Sequence, residues 1–354
     1  MEEKKDTLGM LDLVIRPGFC VKGNQIIKVN QAAESLFITP GTDVRPLLLT
    51  GSEEYAAFTG GCLYLTLNLS SHSCGASVTR VDDIDVFLLE QESDNGELRS
   101  MALAARELRE PLTNVMITAD SLFPLCAAES SPRTAEQVAR LNRGLFQILR
   151  IIGNMSDAER CAAVSHQETV DIPALFAEFF EKAETLVSHT GITLTYEGPD
   201  QPIYGLADRE QLERAVLNIL SNAIKFTPKG GTVTAKLTRS GRMLRLSVTD
   251  SGSGIAQSVR SSVFSRYLRQ PALEDSRYGI GLGMVLIRTA AAHHGGAVLI
   301  DQPEGVGTRI TMTMSIRQSK QATLRSNVLR VDYAGERDHG LIELSECLPT
   351  ELYE

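Results

Sequence analysis

The stretch LERAVLNILSNAIKFTPKGG, residues 212–231, decides the fold of the region around it. Its apolar residues recur with the period of an amphipathic helix. Asn218 and Asn222 lie four residues apart and therefore share one face of that helix, and Lys225 follows on nearly the same side. Amide oxygens are neutral hard ligands for a magnesium ion that also holds phosphates, and Lys225 can offer those phosphates a positive charge. Standing alone, such asparagines are far more often plain surface residues.

A second polar turn, DSGSGI at 250–255, follows the apolar strand LRLSV. Asp250 stands at the strand end, where a carboxylate can accept a hydrogen bond from an amino group such as that of adenine. Gly252 and Gly254 allow the backbone to approach a flat ligand closely and to adopt positive φ. Taken by itself, this motif is more often an ordinary turn.

Two further glycine motifs follow downstream. In RYGIGLGMVLIR, three glycines open a helix near Leu282, and free backbone amides at a helix start bind anionic phosphate. The preceding stretch, QPALEDSRY, is polar rather than a strand, which excludes the dinucleotide-binding fingerprint. In EGVGTRI, Gly305 and Gly307 bracket a tight turn into a strand. Each motif is weak evidence when it stands alone.

Taken together and in this order, these segments resemble the catalytic ATP-binding domain of sensor histidine kinases. The N box is NILSNAIKFTP, the F box is VFSRYLR, and the glycine boxes are DSGSGI, GIGLGM and GVGT. The resemblance implies that Asn218 and Asn222 hold Mg2+ and that Phe264, Arg266 and the residues up to Gly279 form a lid over ATP. The residues it assigns to ATP are Asn222, Lys225, Asp250, Gly252, Gly254, Ile255, Phe264, Arg266, Gly279, Gly281, Leu282, Gly283 and Thr308.

One position separates this chain from the related ATPases of gyrase, mismatch-repair and heat-shock-chaperone type. Those families carry a glutamate four residues before the magnesium asparagine, where it acts as general base on water. Asn218 occupies that position here and cannot accept a proton at neutral pH. Rapid ATP hydrolysis is therefore disfavoured, which suits a kinase.

The apolar period changes upstream, from about Gly96. Two heptad seams of apolar residues follow, and they predict two antiparallel helices. Such a pair of helices cannot bury both of its apolar stripes by itself, so we predict a homodimer that forms a four-helix bundle. The alternative is a hairpin packed on the chain's own domains. The first heptad seam comprises Met101, Ala105, Leu108, Leu112, Val115, Ala119 and Leu122, and the second comprises Val138, Leu141, Leu145, Ile148, Ile152 and Met155.

The resemblance also predicts a phosphoacceptor on the first hairpin helix. Histidine kinases carry His-Glu-x-x-Thr-Pro-Leu or a close variant there, whereas this chain reads Arg-Glu-Leu-Arg-Glu-Pro-Leu from Arg106 to Leu112. The Arg106 guanidinium stays protonated and is not a nucleophile. Glu107, at the acid/base position, is left to pair with Arg106 or solvent, and Glu110 replaces a neutral polar residue. No histidine lies between His72 and His166, so a shifted acceptor is excluded.

The first 93 residues contain short alternating strands and a turn at Lys22-Gly23-Asn24. Their order, a strand pair, short helices and a three-stranded finish, resembles a PAS sensory domain; an unrelated small α+β domain is the rival. We therefore predict a multidomain α+β chain: a PAS-like domain at 1–93, a helical hairpin at 94–165, an α/β sandwich of the histidine-kinase/chaperone ATPase (Bergerat) type at 166–318, and an extension of unknown role at 319–354, with Asp338 and His339 at its surface.

Bulk properties narrow the setting. The 354 residues carry a formal charge of −9, which argues against a primary role on nucleic acid. No apolar run is long enough to span a membrane, and the N-terminus lacks the apolar core of a signal peptide, so we expect a cytoplasmic protein.

The sequence thus predicts a two-component sensor protein of the histidine kinase family that binds Mg-ATP. It is either a signalling pseudokinase or a kinase that phosphorylates a histidine of a different kinase in a mixed dimer, with a response regulator as a further partner. The alternative from another class is an ATPase or an anti-sigma-type serine kinase with the same nucleotide fold.

Overall fold

The computed structural model shows a mixed α+β chain, as predicted. In the described part of the chain, short helices and five strands precede a long helical hairpin, and alternating helices and strands follow it. Over the described part of the chain, no helix combines the length and the apolar character needed to cross a bilayer. The structure describes residues 8–9, 11–69, 72–90, 92–128, 132–163, 166–255, 263–264, 282–303, 307–317 and 337–353.

The N-terminal region is a five-stranded antiparallel arrangement in the order β2-β1-β5-β4-β3. Its first two strands form the predicted hairpin, in which Gly23 and Asn24 adopt φ values of 55° and 68°. Phe19 and Phe87 stack in its core with ring centroids 4.7 Å apart. The elements are β1 Gly18–Lys22, β2 Gln25–Val29, α1 Gln31–Glu34, α2 Ser52–Ala56, β3 Cys62–Asn68, β4 Ser73–Val81 and β5 Ile84–Leu89.

The hairpin consists of α3 (Glu92–Ala128) and α4 (Pro132–Ala163). The seam of α3 divides between two environments, because its alternate members face different sides. Ala105, Leu112 and Ala119 are buried. The members between them, Leu108, Val115 and Leu122, are 51%, 52% and 50% exposed. Half of the predicted seam therefore packs within the chain, and half forms an exposed apolar stripe.

The region after the hairpin packs helices against one face of a sheet. The core beneath α5 and α6 is dominated by buried apolar side chains such as Phe176, Phe180 and Ile219. The elements are β6 Glu168–Asp171, α5 Ile172–Val187, β7 Thr193–Glu197, β8 Tyr204–Ala207, α6 Arg209–Phe226, β9 Thr232–Ser240, β10 Met243–Asp250, α7 Leu282–His293, β11 Val298–Asp301 and β12 Arg309–Ser315. Strands β6 and β8 form a separate two-stranded sheet.

The N-terminal region and the region after the hairpin share a single sheet. Strand β3 pairs antiparallel with β11, with Tyr64 opposite Val298 and Cys62 opposite Ile300. The result is a continuous ten-stranded sheet in the order β2-β1-β5-β4-β3-β11-β12-β10-β9-β7. No local pattern indicates this junction, because the two regions are predicted as separate domains.

Residues 337–353, which we call the 337–353 segment, pack in a groove between α4 and α6. The segment contains α8 (His339–Glu343) and a short 3-10 turn at Thr350–Tyr353. Asp338 is exposed, as expected, but the expectation of a surface position is wrong for His339. Its side chain is only 18% exposed and lies 3.2 Å from Glu213, because α8 packs against α6.

Candidate nucleotide site

Helix α6 positions the two asparagines and the lysine. The Asp208 side chain caps its start by accepting a hydrogen bond from the Gln211 amide at 3.2 Å. Asn218 is almost fully buried, whereas Asn222 and Lys225 are partly exposed. The local sequence therefore brings these three side chains to one side of α6, with Asn218 deepest.

The Asn218 amide is only half satisfied. Its Nδ2 donates to the Arg214 carbonyl at 2.9 Å and to Glu343 Oε2 at 3.3 Å. Its Oδ1 is buried but accepts no hydrogen bond from any residue that the structure describes. Such an orphaned acceptor is costly unless a further group meets it. A neutral oxygen without a partner fits a magnesium ligand, so the residues present are compatible with the metal.

Gly283 sits directly against this oxygen. A Cβ at position 283 would lie 2.7 Å from Asn218 Oδ1, which is closer than real Cβ contacts. The glycine therefore lets the first turn of α7 approach the amide. Backbone amides at the start of a helix favour a bound anion, so the start of α7 places a potential phosphate-binding position next to the candidate metal ligand.

The other two polar side chains of α6 have different surroundings. Asn222 Nδ2 lies 3.9 Å from the sulfur of Met284, a weak contact. Lys225 Nζ lies 2.8 Å from Glu346 Oε2, so its charge already faces a carboxylate.

Asp250 is held at the end of β10 by backbone donors. Its Oδ1 accepts hydrogen bonds from the Gly252 amide at 2.8 Å and from the Thr308 amide at 3.1 Å. Burial raises the pKa of this carboxyl, and the two backbone hydrogen bonds oppose the rise. A carboxylate fixed in this way can accept a hydrogen bond from a ligand amino group.

The glycines near Asp250 serve close backbone approach. Gly254 has a φ of 74°, as expected, and Gly307 has a φ of 116°. The expectation of positive φ is wrong for Gly252, which is not among the described positive-φ glycines. It is required for another reason, because a Cβ there would collide with the carbonyl of Phe226 at the end of α6.

The remaining predicted nucleotide residues are only partly placed. Phe264 is buried, and its ring lies 5.6 Å from that of Tyr64 on β3. Leu282 is buried in a small cluster with Val285 at the start of α7, and Ile255 packs at the margin of the main core. Thr308 is buried beside Asp250. Arg266, Gly279 and Gly281 lie outside the described residues.

On the hairpin, Arg106 and Glu107 are both exposed. Arg106 directly follows the buried Ala105, as the seam predicts. The nearby Arg109 donates to Ser156 Oγ at 3.3 Å and so ties α3 to α4. The position at which the resemblance predicts a phosphoacceptor is therefore occupied by an exposed arginine.

Sequence reasoning missed an ionic network beside α6. Glu343 lies 3.3 Å from Arg150 of α4 and 3.1 Å from Arg214 of α6, and it is fully buried. Glu346 lies 3.1 Å from Arg150 as well as close to Lys225. These partners are separated by 121 or more residues along the chain, so no local pattern could have paired them.

Comparison with known proteins shows which family model and which proteins this chain is similar to. Residues 207–318 match the family described as histidine kinase-, DNA gyrase B- and HSP90-like ATPase. An uncharacterised sensor-like histidine kinase of Rhizobium meliloti (strain 1021) is 29% identical over 276 residues, 73% of this chain and 52% of that protein. The adaptive-response sensory kinase SasA of Crocosphaera subtropica is 26% identical over 246 residues, 66% of this chain and 64% of SasA. The chain thus spans about half to two thirds of these relatives.

A solved structure shares the fold. Full-length ShkA in complex with AMPPNP is 24% identical with a TM-score of 0.51, covering 62% of this chain and 46% of ShkA. At this identity the likeness concerns the fold alone.

Proposed function

This chain belongs to the sensor histidine kinase family, and on that premise we propose that it binds Mg-ATP without phosphorylating its own hairpin. The observation that carries the nucleotide part is the buried Asn218 oxygen, which has no hydrogen-bond partner among the described residues and faces the glycine start of α7. Asn218 and Asn222 would hold magnesium, Lys225 would face phosphate, and Asp250 would accept a hydrogen bond from adenine. Bound magnesium would neutralise part of the phosphate charge.

The absence of a base at position 218 governs the fate of ATP. An amide cannot take a proton from water at neutral pH, so Asn218 can bind but cannot activate a hydrolytic water. The γ-phosphate is therefore kept for transfer or for holding a conformation. This argues against the alternative of a stand-alone ATPase. The long helical hairpin argues against the alternative of an anti-sigma-type serine kinase.

The hairpin cannot accept that phosphate by the family's usual route. The Arg106 guanidinium has delocalised lone pairs and remains charged, and Glu110 places a negative charge nearby. The protein is then a signalling pseudokinase in which ATP acts as a conformational ligand. The second candidate is phosphorylation of a partner kinase's histidine in a mixed dimer, which the matched ATP-binding family keeps open.

Dimerisation is supported by the exposed stripe on the hairpin. On α3 the stripe consists of Leu108, Val115 and Leu122. On α4 the side chains of Leu141 and Ile148 are 54% and 47% exposed. Contiguous apolar surface of this kind marks an interaction site. A second hairpin would cover it by forming a four-helix bundle.

The N-terminal region would be the PAS-like sensor. Its strand pair, short helices and three final strands keep the predicted order. Strand β3 pairs with β11 of the region after the hairpin, which we call the nucleotide region. A signal that shifts this shared sheet would therefore act on the nucleotide region directly and then reach a response regulator or a partner kinase.

Nucleotide binding is tested by heat stability. Mg-ATP should raise the melting temperature of the chain, because a ligand that binds only the folded state stabilises it. Asp250→Asn should abolish most of this rise, since an amide presents a donor as well as an acceptor at the adenine position. Asp200→Asn, an exposed carboxylate in the same region, should leave the rise unchanged.

Two results would contradict the proposal. One is a wild-type chain that shows no shift with Mg-ATP at any concentration. The other is acid-labile phosphate on the wild-type hairpin after incubation with γ-labelled ATP. Labelling mixtures with neighbouring kinases from the same genome separates the two sub-cases, because transfer to a partner selects the mixed dimer.

A further inference from the structure

The 337–353 segment is fastened to the hairpin helix α4 by backbone acceptors. Arg143 Nε donates to the Ser345 carbonyl at 2.9 Å, and its Nη2 donates to the Glu346 carbonyl at 3.1 Å. Asn142 Nδ2 donates to the Tyr353 carbonyl at 2.9 Å. Because these side chains donate to backbone carbonyls of the segment, they fix the path of its backbone along α4.

Apolar side chains hold the same segment in place. Ile342, Leu344 and Leu348 are buried in the core that also contains α6. The Tyr353 ring meets Phe146 of α4 edge-on with centroids 5.3 Å apart, and its hydroxyl donates to the Leu341 carbonyl at 2.8 Å. The segment is therefore a packed element that joins α4 to α6.

This docking brings two carboxylates onto the candidate nucleotide residues. Glu343 accepts from Asn218 Nδ2 at 3.3 Å, and Glu346 lies 2.8 Å from Lys225. Asn218 is the proposed metal ligand, and Lys225 is the proposed phosphate cation. The segment thus contacts the side of the site that would receive the metal and the phosphates.

Charge makes the segment and a nucleotide competitors. Burial raises the pKa of Glu346, but Arg150 and Lys225 outweigh it, and the pKa lies below its ordinary value. The carboxylate is therefore ionised at neutral pH. A phosphate that approached Lys225 would meet this negative charge at hydrogen-bond distance from the ammonium, and like charges at such separations repel.

We propose that the 337–353 segment is an intramolecular acidic ligand of the nucleotide site, and that Glu346 must leave Lys225 when Mg-ATP binds. This inference rests on the proposed function. The segment also forms hydrogen bonds and apolar contacts with α4. Its displacement therefore removes contacts that join the nucleotide region to the hairpin. Nucleotide occupancy is thereby converted into a change in how the two regions are joined.

The test compares nucleotide affinity among full-length variants. Isothermal titration with Mg-AMPPNP should show that Glu346→Gln binds about tenfold more tightly than wild type, the scale of ordinary coupling between sites. Arg143→Ala should bind more tightly as well, although it removes no nucleotide residue and no acidic charge. Glu351→Gln removes an exposed acid from the same segment and should match wild type.

Hydrogen exchange of the wild-type chain supplies a measurement that needs no variant. Saturating Mg-AMPPNP should speed amide exchange over residues 339–353, because the segment loses its ionic contacts with α6. Equal dissociation constants for wild type, Glu346→Gln and Arg143→Ala, or unchanged exchange at saturation, would overturn the competition while leaving nucleotide binding intact. Absence of binding in wild type and in both released variants would instead overturn the nucleotide site itself, and the competition with it.

Discussion

At position 106, an exposed arginine follows a buried seam alanine directly in the chain. The backbone there is still that of a helix, so the site lacks a nucleophile rather than a scaffold. The double variant Arg106→His with Glu110→Thr should therefore acquire acid-labile phosphate from γ-labelled ATP, since neutral imidazole presents a lone pair near pH 7. Arg133→His, an exposed arginine at the start of α4, is the control and should stay unlabelled. A double variant that binds Mg-ATP but remains unlabelled would show that the nucleotide region has lost phosphotransfer too.

At the scale of the element, helix α3 is apolar on two sides, and among the residues that the structure describes only one of these sides is buried. Val115→Lys should convert a dimer to monomer, because it replaces about 1.5–3 kcal/mol of apolar burial per copy with a charge that resists burial. Sedimentation equilibrium measures the change. Asn114→Lys, the exposed polar neighbour, should leave the dimer intact. A wild-type chain that sediments as a monomer at every concentration would refute the dimer and favour a hairpin that packs only on its own chain.

At the scale of the whole molecule, the junction of the two regions is closed by Arg288 of α7. Its Nη2 lies 2.6 Å from Glu90 Oε1, its guanidinium lies 5.0 Å above the Tyr64 ring, and its Nη1 donates to the Phe264 carbonyl at 2.9 Å. Arg288 is buried, so removing the Glu90 carboxylate leaves the buried Arg288 guanidinium poorly compensated. Glu90→Gln should lower the free energy of unfolding by up to about 3 kcal/mol in urea titration. Asp83→Asn breaks the exposed pair with Lys22 and should cost less than about 1 kcal/mol; equal losses would mean that the junction contributes no more than a surface contact.

A feature can be predicted from the sequence when it depends on residues that are close together along the chain. The turn at Gly23-Asn24, the N box helix and the strand before Asp250 were predicted correctly, because each depends on a local period or a backbone preference. The role of Gly252 was half right, since its need arises from a neighbouring carbonyl rather than from its own φ. The halves of the α3 seam could be found as a pattern but not assigned to inside and outside.

By itself, the sequence determined the candidate nucleotide residues of α6, the glycine turns around them and the arginine at position 106 where the resemblance predicts a histidine, because residue type and spacing act over one or two turns of chain. Only the tertiary structure decided that Glu346 pairs with Lys225 and that β3 pairs with β11. Both depend on bringing together groups more than 100 residues apart, and a free carboxylate or a free strand edge carries no mark of its eventual partner.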